Sequence, residues 1–396
     1  MIGSHLFLSF FIGKRYIICY DIFNTQKGGS IMKKTSLANT FIIGITLFSM
    51  FFGAGNLIFP PLLGAQSGKE FLPAILGFIA TAVIIPTIAI VAVAKHQGLK
   101  NLTDRIHPLF TTIFVTLVYL LIGPCVAIPR TASTSFEMAI APLMTNSFLS
   151  QIFYALIFFA LSSYVALHPN RLKDLLGKIM APILLILIAV LFIGTLIAVP
   201  SGISEPNAHY STQTFLSGFI DGYQTMDILA ALNFGIIIAL NIQDLGIKNP
   251  KQIAKEIMKA GVIAGLLLGI VYLATGYIGM HTSLAMHEVG NGAEVLSYAI
   301  YKTFGSWGQW IVGIIFFIAC FNVSTGLLSC CAEYFYELVP KFSYKTWLFG
   351  FATFSFIVSS FGLNFILEFS VPILSIMCPI AILIVFIGLI LPYKEK

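Results

Sequence analysis

Long apolar runs alternate with short segments of charged and turn-forming residues along most of the chain. An α-helix needs about 20 predominantly apolar residues to cross a hydrocarbon core about 30 Å thick. By that measure the pattern predicts ten transmembrane helices, at residues 36–63, 71–94, 109–140, 148–166, 176–199, 218–245, 257–281, 308–336, 346–361 and 364–391. The predicted fold class is therefore an all-α integral membrane protein.

Composition supports the same class. Only 10% of the 396 residues are charged and 58% are hydrophobic, whereas soluble domains carry about a quarter charged residues. A membrane β-barrel would instead show short segments in which polar and apolar residues alternate. The net charge of +6 does not indicate nucleic acid binding, because the basic residues are scattered along the chain. We therefore expect a lipid bilayer, and no nucleic acid, as the surroundings of this protein.

The basic residues indicate on which side of the membrane each loop lies, because cytoplasmic loops are enriched in Lys and Arg. With a cytoplasmic amino terminus, the inner segments from Met32 onward contain Lys33, Lys34, Lys95, Lys100, Arg105, Arg171, Lys173, Lys178, Lys248, Lys251, Lys255, Lys259, Lys341, Lys345, Lys394 and Lys396. The outer segments then contain only Lys69, Arg130 and Lys302. This asymmetry predicts a multi-pass protein of the bacterial cell membrane with its amino terminus in the cytoplasm.

The first 31 residues differ in character from the rest of the chain. Met32 and the two lysines after it open the first predicted helix as a natural start would. The preceding KGG at residues 27–29 can be encoded by a bacterial ribosome-binding sequence at a plausible initiation distance. A signal peptide fits poorly, because the short apolar stretch 6–12 precedes its basic residues instead of following them. We expect residues 1–31 to be a non-native leader or a mis-assigned start, with a genuine cytoplasmic leader as the alternative.

The ten spans divide into two sets of five. The sets cover residues 32–199 and 218–391, with an external loop at 200–217 between them and a cytoplasmic tail at 392–396. Because five is an odd number, the second set enters the membrane from the opposite side, which is the arrangement of a 5+5 inverted repeat. We therefore predict two structurally related halves.

The first helix of each set contains residues that interrupt helices. They are Gly53 to Asn56 in helix 1, followed by two prolines, and Asn233 to Gly235 in helix 6. An unwound turn inside a membrane leaves backbone groups without helical partners, so a ligand or ion is needed to satisfy them. Half-helix amino ends attract a carboxylate, and freed carbonyls suit a small cation. Close packing at small residues is the alternative, but paired breaks in two repeats favour a binding site.

Other functions fit the sequence less well. It contains no metal-ligand cluster, Ser-His arrangement or phosphate-binding loop, which argues against an intramembrane enzyme and an ATP-driven pump. A channel would require a continuous pore rather than two broken helices in inverted repeats. The prediction is a secondary active transporter that is not an enzyme and needs no cofactor beyond a coupling ion.

Three segments resemble the branched-chain amino acid transport system II carriers, a family of cation symporters with the leucine-transporter fold. They are FSMFFGAGNLIFPP at residues 48–61, GPCVAIPRT at 123–131 and GYQTMDILAAL at 222–232. The resemblance covers nearly all of residues 32–392, although family members usually continue through two further helices. It implies import of Leu, Ile and Val together with Na⁺ or H⁺. A related amino-acid permease of the same fold with another substrate is the alternative.

The resemblance also implies the substrate contacts. The substrate carboxylate would meet the backbone amides at the helix 1 break, and helix 6 would supply an apolar surface for the branched side chain. Ordinary helix packing is the alternative for each apolar position. The implied substrate-binding residues are Gly53, Ala54, Gly55, Asn56, Asp227, Ile228, Ala231 and Phe234.

Ser324 and Thr325 resemble the hydroxyl pair that completes a sodium site in this fold. Small hard cations prefer oxygen ligands, and the backbone carbonyls of Ser49 and Phe52 would supply the others. The alternative is that the two hydroxyls bond to the preceding turn of their own helix. The resemblance thus implies a Na⁺ site at these four residues.

Ionisable residues inside the membrane are costly and therefore candidates for function. They are Arg130, Glu137, Asp227, Glu333 and Glu368. Arg130 and Glu137 are seven residues apart on one helical face, and a simple ion pair is one interpretation. Asp227 could contact the substrate ammonium or act in a gate, as could Glu368, whereas Glu333 lies close to the inner surface. The choice between Na⁺ and H⁺, the preferred substrate and the oligomeric state stay open.

Overall fold

The computed structural model describes residues 37–391, except 97, 143–146, 169–179, 199–201, 245–246, 248, 287 and 290. The described residues all belong to one unit. The predicted leader at 1–31 and tail at 392–396 lie outside the described residues. All regular structure in the described ranges is helical.

The long apolar runs fold into helices close to the predicted bounds. In chain order the helices are α1 Leu37–Phe51, α2 Ala54–Ser67, α3 Phe71–Ile79, α4 Ile85–Lys95, α5 Leu99–Thr103, α6 Pro108–Leu120, α7 Ala127–Ala139, α8 Phe148–Ala166, α9 Ala181–Ala198, α10 Thr214–Asp221, α11 Asp227–Asp244, α12 Pro250–His281, α13 Ser283–Met286, α14 Gly292–Phe304, α15 Ser306–Leu338, α16 Tyr344–Ser359 and α17 Leu363–Ile390. Single π-helical turns, Ala80–Ile84 and Leu121–Cys125, join α3 to α4 and lie between α6 and α7.

Six helical stretches in the described ranges are long and apolar enough to cross a membrane. They are Ala54–Lys95, Pro108–Ala139, Phe148–Ala166, Gln252–His281, Ser306–Leu338 and Leu363–Ile390. Two shorter apolar helices cover Asn39–Phe51 and Pro182–Thr195. Large apolar side chains such as Leu72, Leu149 and Ile376 are mostly exposed, as expected for surfaces that face lipid.

Helices α2 and α12 pack against each other through glycines. A Cβ atom at Gly64 would lie 1.9 Å from the Gly276 carbonyl oxygen, and one at Gly279 would lie 2.0 Å from that of Pro61. Small residues allow this close backbone approach, which is common between membrane helices. The packing holds the middle of α12, with Tyr272, beside the start of α2.

The helix formed by α6 and α7 bends sharply between its halves. Gly123 has non-helical backbone angles, and Pro124 follows it. A proline inside a helix removes one backbone hydrogen bond and displaces the preceding turn. A Cβ atom at Gly123 would lie 2.6 Å from the Cys331 sulfur on α15, so glycine also permits this contact. The bend sets the direction of α7, which carries Arg130 into the centre of the molecule.

Candidate functional site

The first predicted helix is interrupted where its glycines indicated. Helix α1 ends at Phe51 and α2 begins at Ala54, with Gly53 in an extended conformation between them. The Asn56 side-chain oxygen accepts a 2.9 Å hydrogen bond from the Gly53 amide. This side chain therefore caps the amino end of α2 and satisfies one backbone group that the break exposes.

The second interruption lies earlier than the sequence suggested. The predicted break at Asn233–Gly235 is wrong, because α11 continues from Asp227 to Asp244. The Asn233 amide donates to the Leu229 carbonyl in the preceding turn, 3.0 Å away. Its polar group is thus satisfied without unwinding the helix.

The chain instead leaves the α-helix between α10 and α11. Gly222–Thr225 forms a 3-10 turn, and Met226 adopts a left-handed conformation with φ of 63°. The Thr225 hydroxyl donates to the Gly222 carbonyl at 2.9 Å and accepts from the Asp227 amide at 3.3 Å. Local side-chain bonds therefore replace the missing helical ones in this turn.

A buried polar cluster connects the two breaks. Asn56, one turn into α2, donates from Nδ2 to Asp227 Oδ2 at 2.8 Å. The Tyr272 hydroxyl of α12 donates to the same carboxylate oxygen at 2.8 Å and also contacts the Asn56 amide. All three side chains are at most 2% exposed. A buried carboxylate requires such donors, because an unsatisfied buried charge is strongly unfavourable.

A cavity lies where the two breaks meet. Its lining consists of Met50, Phe51, Gly53, Ala54, Gly55, Asn56, Ala127, Arg130, Thr131, Thr225, Met226, Asp227, Ala230, Phe234, Val323 and Leu327. The space open to water-sized molecules is ≈ 30 Å³, enough for about two waters. The lining combines polar and charged side chains, those of Asn56, Arg130, Thr131, Thr225 and Asp227, with aliphatic and aromatic ones. A second cavity, between α9 and α15, has a lining that is apolar apart from Thr275 and offers no group to orient a polar ligand.

Six of the eight predicted substrate residues line this cavity: Gly53, Ala54, Gly55, Asn56, Asp227 and Phe234. Ile228 and Ala231 are fully buried, but they lie outside the lining. Because α11 begins at Asp227, the positions that share a face with it are three and seven residues later. Ala230 and Phe234 therefore face the cavity.

The four residues of the implied sodium site come from two neighbouring helices. The Ser324 hydroxyl is completely buried and has no hydrogen-bond partner in the described part of the chain. Thr325 donates within its own helix, to the carbonyls of Phe321 or Asn322 at 2.9 Å. The alternative of bonding to the preceding turn thus applies to Thr325 and not to Ser324.

Helix α15 reaches the first break directly. The Asn322 amide donates to the Ser49 hydroxyl at 2.9 Å, and a Cβ atom at Gly53 would lie 2.8 Å from a Val323 methyl group. The Asn322 side-chain oxygen is buried and unpartnered among the described residues. The segment that carries Ser324 therefore packs against the end of α1, where Phe52 lies, and contains oxygens suited to a hard cation.

The ionisable residues inside the predicted spans do not form the ion pair that their spacing suggested. Arg130 and Glu137 do not pair: Arg130 donates to the Gln224 carbonyl at 2.8 Å, and Glu137 accepts from the Asn291 amide at 3.1 Å. Glu368 is exposed and Glu333 is partly buried, and neither lines the cavity.

Sequence reasoning did not assign Arg130 or Tyr272 to the site. Arg130 was detectable as a charge inside a predicted span, but its position relative to the two breaks depends on the bend at Gly123. Tyr272 lies in an apolar stretch of α12 that gives no local signal. Only the packing of α12 against α2 brings its hydroxyl to Asp227.

Comparisons with known proteins identify the family to which this sequence is similar. A family model described as branched-chain amino acid transport protein matches residues 36–395. The branched-chain amino acid permease BrnQ of Bacillus subtilis is 40% identical over 90% of this chain and 82% of its own length. The permease BraB of the same organism is 39% identical over 89% of this chain and 80% of its own length.

Two solved structures share the fold. MhsT in complex with L-phenylalanine aligns with a TM-score of 0.59 and 18% identity over 90% of this chain and 89% of that chain. Mhp1, a nucleobase-cation-symport-1 family transporter with bromovinylhydantoin bound, aligns with a TM-score of 0.58 and 14% identity. The alignment covers 87% of this chain and 77% of that chain. At these identities both likenesses concern the overall fold alone.

Proposed function

The chain belongs to the branched-chain amino acid transport protein family, and we propose that it imports leucine, isoleucine and valine as a secondary active cation symporter. Family membership makes it a multi-pass membrane permease and not an enzyme. The substrate class is supported by the names of the relatives, which are branched-chain amino acid permeases at about 40% identity. The cavity between the two helix breaks is the observation that carries the proposal.

The cavity offers separate surfaces for the two parts of an amino acid. The substrate carboxylate binds at the start of α2, where the first backbone amides have no partner within the helix and the helix dipole is positive. The ammonium group binds at the Asp227 carboxylate. The branched side chain lies among Met50, Ala230, Phe234 and Leu327, since an apolar pocket favours apolar substituents and penalises polar ones.

The substrate enters only after a change in conformation. The volume of ≈ 30 Å³ holds about two water molecules, which is too little for isoleucine. Phe51 and Phe234 form an edge-to-face pair with ring centroids 5.6 Å apart in the cavity wall. They belong to α1 and α11, so a relative movement of these helices separates the rings and widens the cavity.

The architecture that we propose is the full set of ten transmembrane helices in a 5+5 inverted repeat. The two interruptions support it, because one follows α1 and the other precedes α11, within the first span of each set of five. In this architecture the two breaks would lie together inside the membrane, where alternating access requires the binding site. The amino terminus is cytoplasmic in this arrangement, as the distribution of basic residues indicates.

We propose Na⁺ as the coupling ion, bound by the Ser324 and Thr325 hydroxyls with the Ser49 and Phe52 carbonyls. The Ser324 oxygen supports this choice by its position, because it is buried without a partner among the described residues next to Asn322, which bonds to Ser49 of α1. Other buried hydroxyls, such as those of Thr134 and Ser355, also have no described partner. Proton coupling is the alternative, and it would involve the buried carboxylate of Asp227 or that of Glu137.

Uptake by purified protein in proteoliposomes tests the proposal. Labelled isoleucine should accumulate under an inward sodium gradient, and excess unlabelled leucine or valine should compete, whereas lysine or glutamate should not. Counterflow of labelled isoleucine against unlabelled isoleucine inside the vesicles distinguishes a carrier from a channel. Uptake driven by a proton gradient in the absence of sodium would instead identify H⁺ as the coupling ion. Failure of isoleucine to be transported or bound under either gradient would rule out this substrate class.

A further inference from the structure

Arg130 places a positive charge in the wall of the cavity. Its side chain is 3% exposed and lies on α7, across the cavity from the start of α11. Glu137, its nearest acidic residue along the helix, bonds to Asn291 instead. A buried guanidinium normally requires a carboxylate or several hydrogen-bond acceptors to offset its lost hydration. Among the described residues Arg130 has one side-chain hydrogen bond, to the Gln224 carbonyl, and no carboxylate in direct contact, although the Asp227 charge lies near enough to interact with it.

The guanidinium touches both helix breaks. Its Nη1 atom donates to the Gln224 carbonyl in the 3-10 turn at 2.8 Å. Its Nη2 atom lies against the first break, because a Cβ atom built at Gly55 would be only 2.9 Å from it. One face lies over the Phe59 ring, 5.7 Å from its centroid. The Nε atom is buried and has no partner among the described residues.

Arg130 and Asp227 thus present opposite charges in one cavity without forming a salt bridge. A zwitterion between them would compensate both charges, with its carboxylate at the guanidinium and its ammonium at the carboxylate. Arginine suits the first contact, because its N–H groups match the two oxygens of a carboxylate. A neutral or cationic ligand would bring no carboxylate into contact with the arginine.

We propose that Arg130 binds the carboxylate of the transported amino acid, together with the amides at the start of α2. This assignment rests on the proposed function, in which the cavity holds an amino acid. With this contact the cavity would select for an α-carboxylate as well as for an apolar side chain. It also places the recognition of the substrate carboxylate on α7, between the two interrupted helices.

A purely structural role is the competing explanation. In that case Arg130 serves only to bridge the breaks by satisfying the Gln224 carbonyl, and its replacement weakens the site for every ligand alike. The two explanations differ in one measurable property, the preference for a ligand with a carboxylate over the same ligand without one. Isoleucinamide is a suitable probe, because it keeps the side chain and the ammonium group and replaces the carboxylate by a neutral amide.

Competition binding with isoleucine and isoleucinamide should be measured on purified wild-type, Arg130→Gln and Arg130→Lys proteins. Arg105→Gln is the matched control, because it removes an arginine from outside the cavity. Wild type and control should prefer isoleucine. Arg130→Gln should reduce that preference about 10- to 100-fold, as expected for loss of a hydrogen bond between charged groups. Arg130→Lys should retain part of the preference, since it keeps the charge and loses the planar fork.

An equal loss of affinity for both ligands in Arg130→Gln and Arg130→Lys would overturn the assignment in favour of the structural role. A measurement on wild-type protein covers the case in which the variants do not fold. Magnetic-resonance dipolar coupling between carboxyl-¹³C isoleucine and ¹⁵N-arginine should place the carboxyl carbon about 4 Å from guanidinium nitrogen. Absence of that coupling while isoleucine is bound would also overturn it. Absence of isoleucine binding to wild type would refute the proposed function itself.

Discussion

The side-chain amide of Asn56 donates a 2.8 Å hydrogen bond to the Asp227 carboxylate, and this contact joins the two interrupted helices. Asn56 also caps the start of α2 through the Gly53 amide. Asp227 is the first residue of α11. A single pair of side chains thus fixes the position of one half-helix amino end relative to the other, and both ends line the cavity.

We expect Asp227→Asn to weaken isoleucine binding by about 10- to 100-fold, as for loss of a charged hydrogen bond worth ~1.5–3 kcal/mol. The substitution keeps the shape of the side chain and removes the charge that we propose binds the substrate ammonium. Tyr272→Phe removes one donor to the same carboxylate and should cost less, about 1 kcal/mol. Isoleucine affinity of the two purified variants provides the comparison. Equal effects of both substitutions would mean that Asp227 only holds the helices together.

Gly55→Leu should abolish isoleucine uptake while the protein still inserts into the membrane. A Cβ atom at Gly55 would lie 2.9 Å from Arg130 Nη2 and 3.1 Å from the Thr225 Cα atom. Because the second contact is backbone, a larger side chain must push the two breaks apart. Gly55→Ala should already reduce uptake strongly. Uptake is measured per amount of folded protein in the membrane.

Gly269→Ala is the control for this series, because nothing lies within 4 Å of a Cβ atom at that position of α12. It should transport like the wild type. Normal transport by Gly55→Leu would show that the first break is a packing feature without a role in binding.

The first interruption could be predicted from sequence and the second could not, for a physical reason. The glycines at the first break are visible in the sequence as residues that interrupt a helix. The Gly53 amide, which lacks a helical partner there, donates to the side chain of the buried Asn56. At Asn233 the same kind of residue bonds back to Leu229 in its own helix. The actual second break depends on the Thr225 hydroxyl and on a left-handed Met226. Neither residue is an obvious helix breaker.

The hydrogen-bond partners of the charged residues also could not be predicted from the sequence. Seven-residue spacing placed Arg130 and Glu137 on one helical face, but the structure gives each a partner from elsewhere in the chain, Gln224 and Asn291. Such contacts depend on how helices distant in sequence pack together. The long apolar helices were largely predictable, because they follow from lengths of apolar sequence. The helix Gly292–Phe304 was not, because it lies outside the predicted spans.

We expect a pH-dependent contribution to stability from His209, which lies in the segment before α10. Its ring contacts the Asp221 carboxylate at 3.0 Å, and this hydrogen bond raises the pKa of His209 above its ordinary value of 6.5. The folded state therefore favours the protonated form. The contribution is fully present below pH 6.5, the ordinary value, and is lost as pH rises through the raised pKa.

Thermal unfolding of wild type and His209→Gln across this pH range tests the expectation. The wild type should be more stable at low pH, and the difference should disappear at high pH. His168→Gln is a control, because among the described residues that ring hydrogen-bonds only to the Tyr164 carbonyl, in the last turn of the preceding helix α8. A difference between wild type and His209→Gln that is constant with pH would exclude titration of this pair as its cause.

Lys95→Ala should destabilise the protein by about 0.3–1 kcal/mol, the usual value for a cation at a helix carboxyl end. The Lys95 ammonium at the end of α4 donates to the carbonyls of Leu389 at 2.7 Å and Leu391 at 2.9 Å. These groups end α17 and have no partner within that helix. Unfolding in detergent measures the effect. Lys345→Ala, at an exposed position of α16, should leave stability unchanged, and an equal loss in both variants would argue against capping.

Ser324→Ala and Thr325→Ala together should remove the sodium dependence of isoleucine binding. If the ion and substrate favour the same conformation, each raises the affinity of the other by the same factor. The corresponding coupling free energy is typically ~1–3 kcal/mol. Ser324→Ala alone should have the larger effect, because its oxygen has no described partner, whereas that of Thr325 bonds its own helix. Sodium titration of isoleucine binding is the measurement, with the exposed Ser375→Ala as control. An unchanged sodium dependence in the double variant would falsify the ion-site assignment.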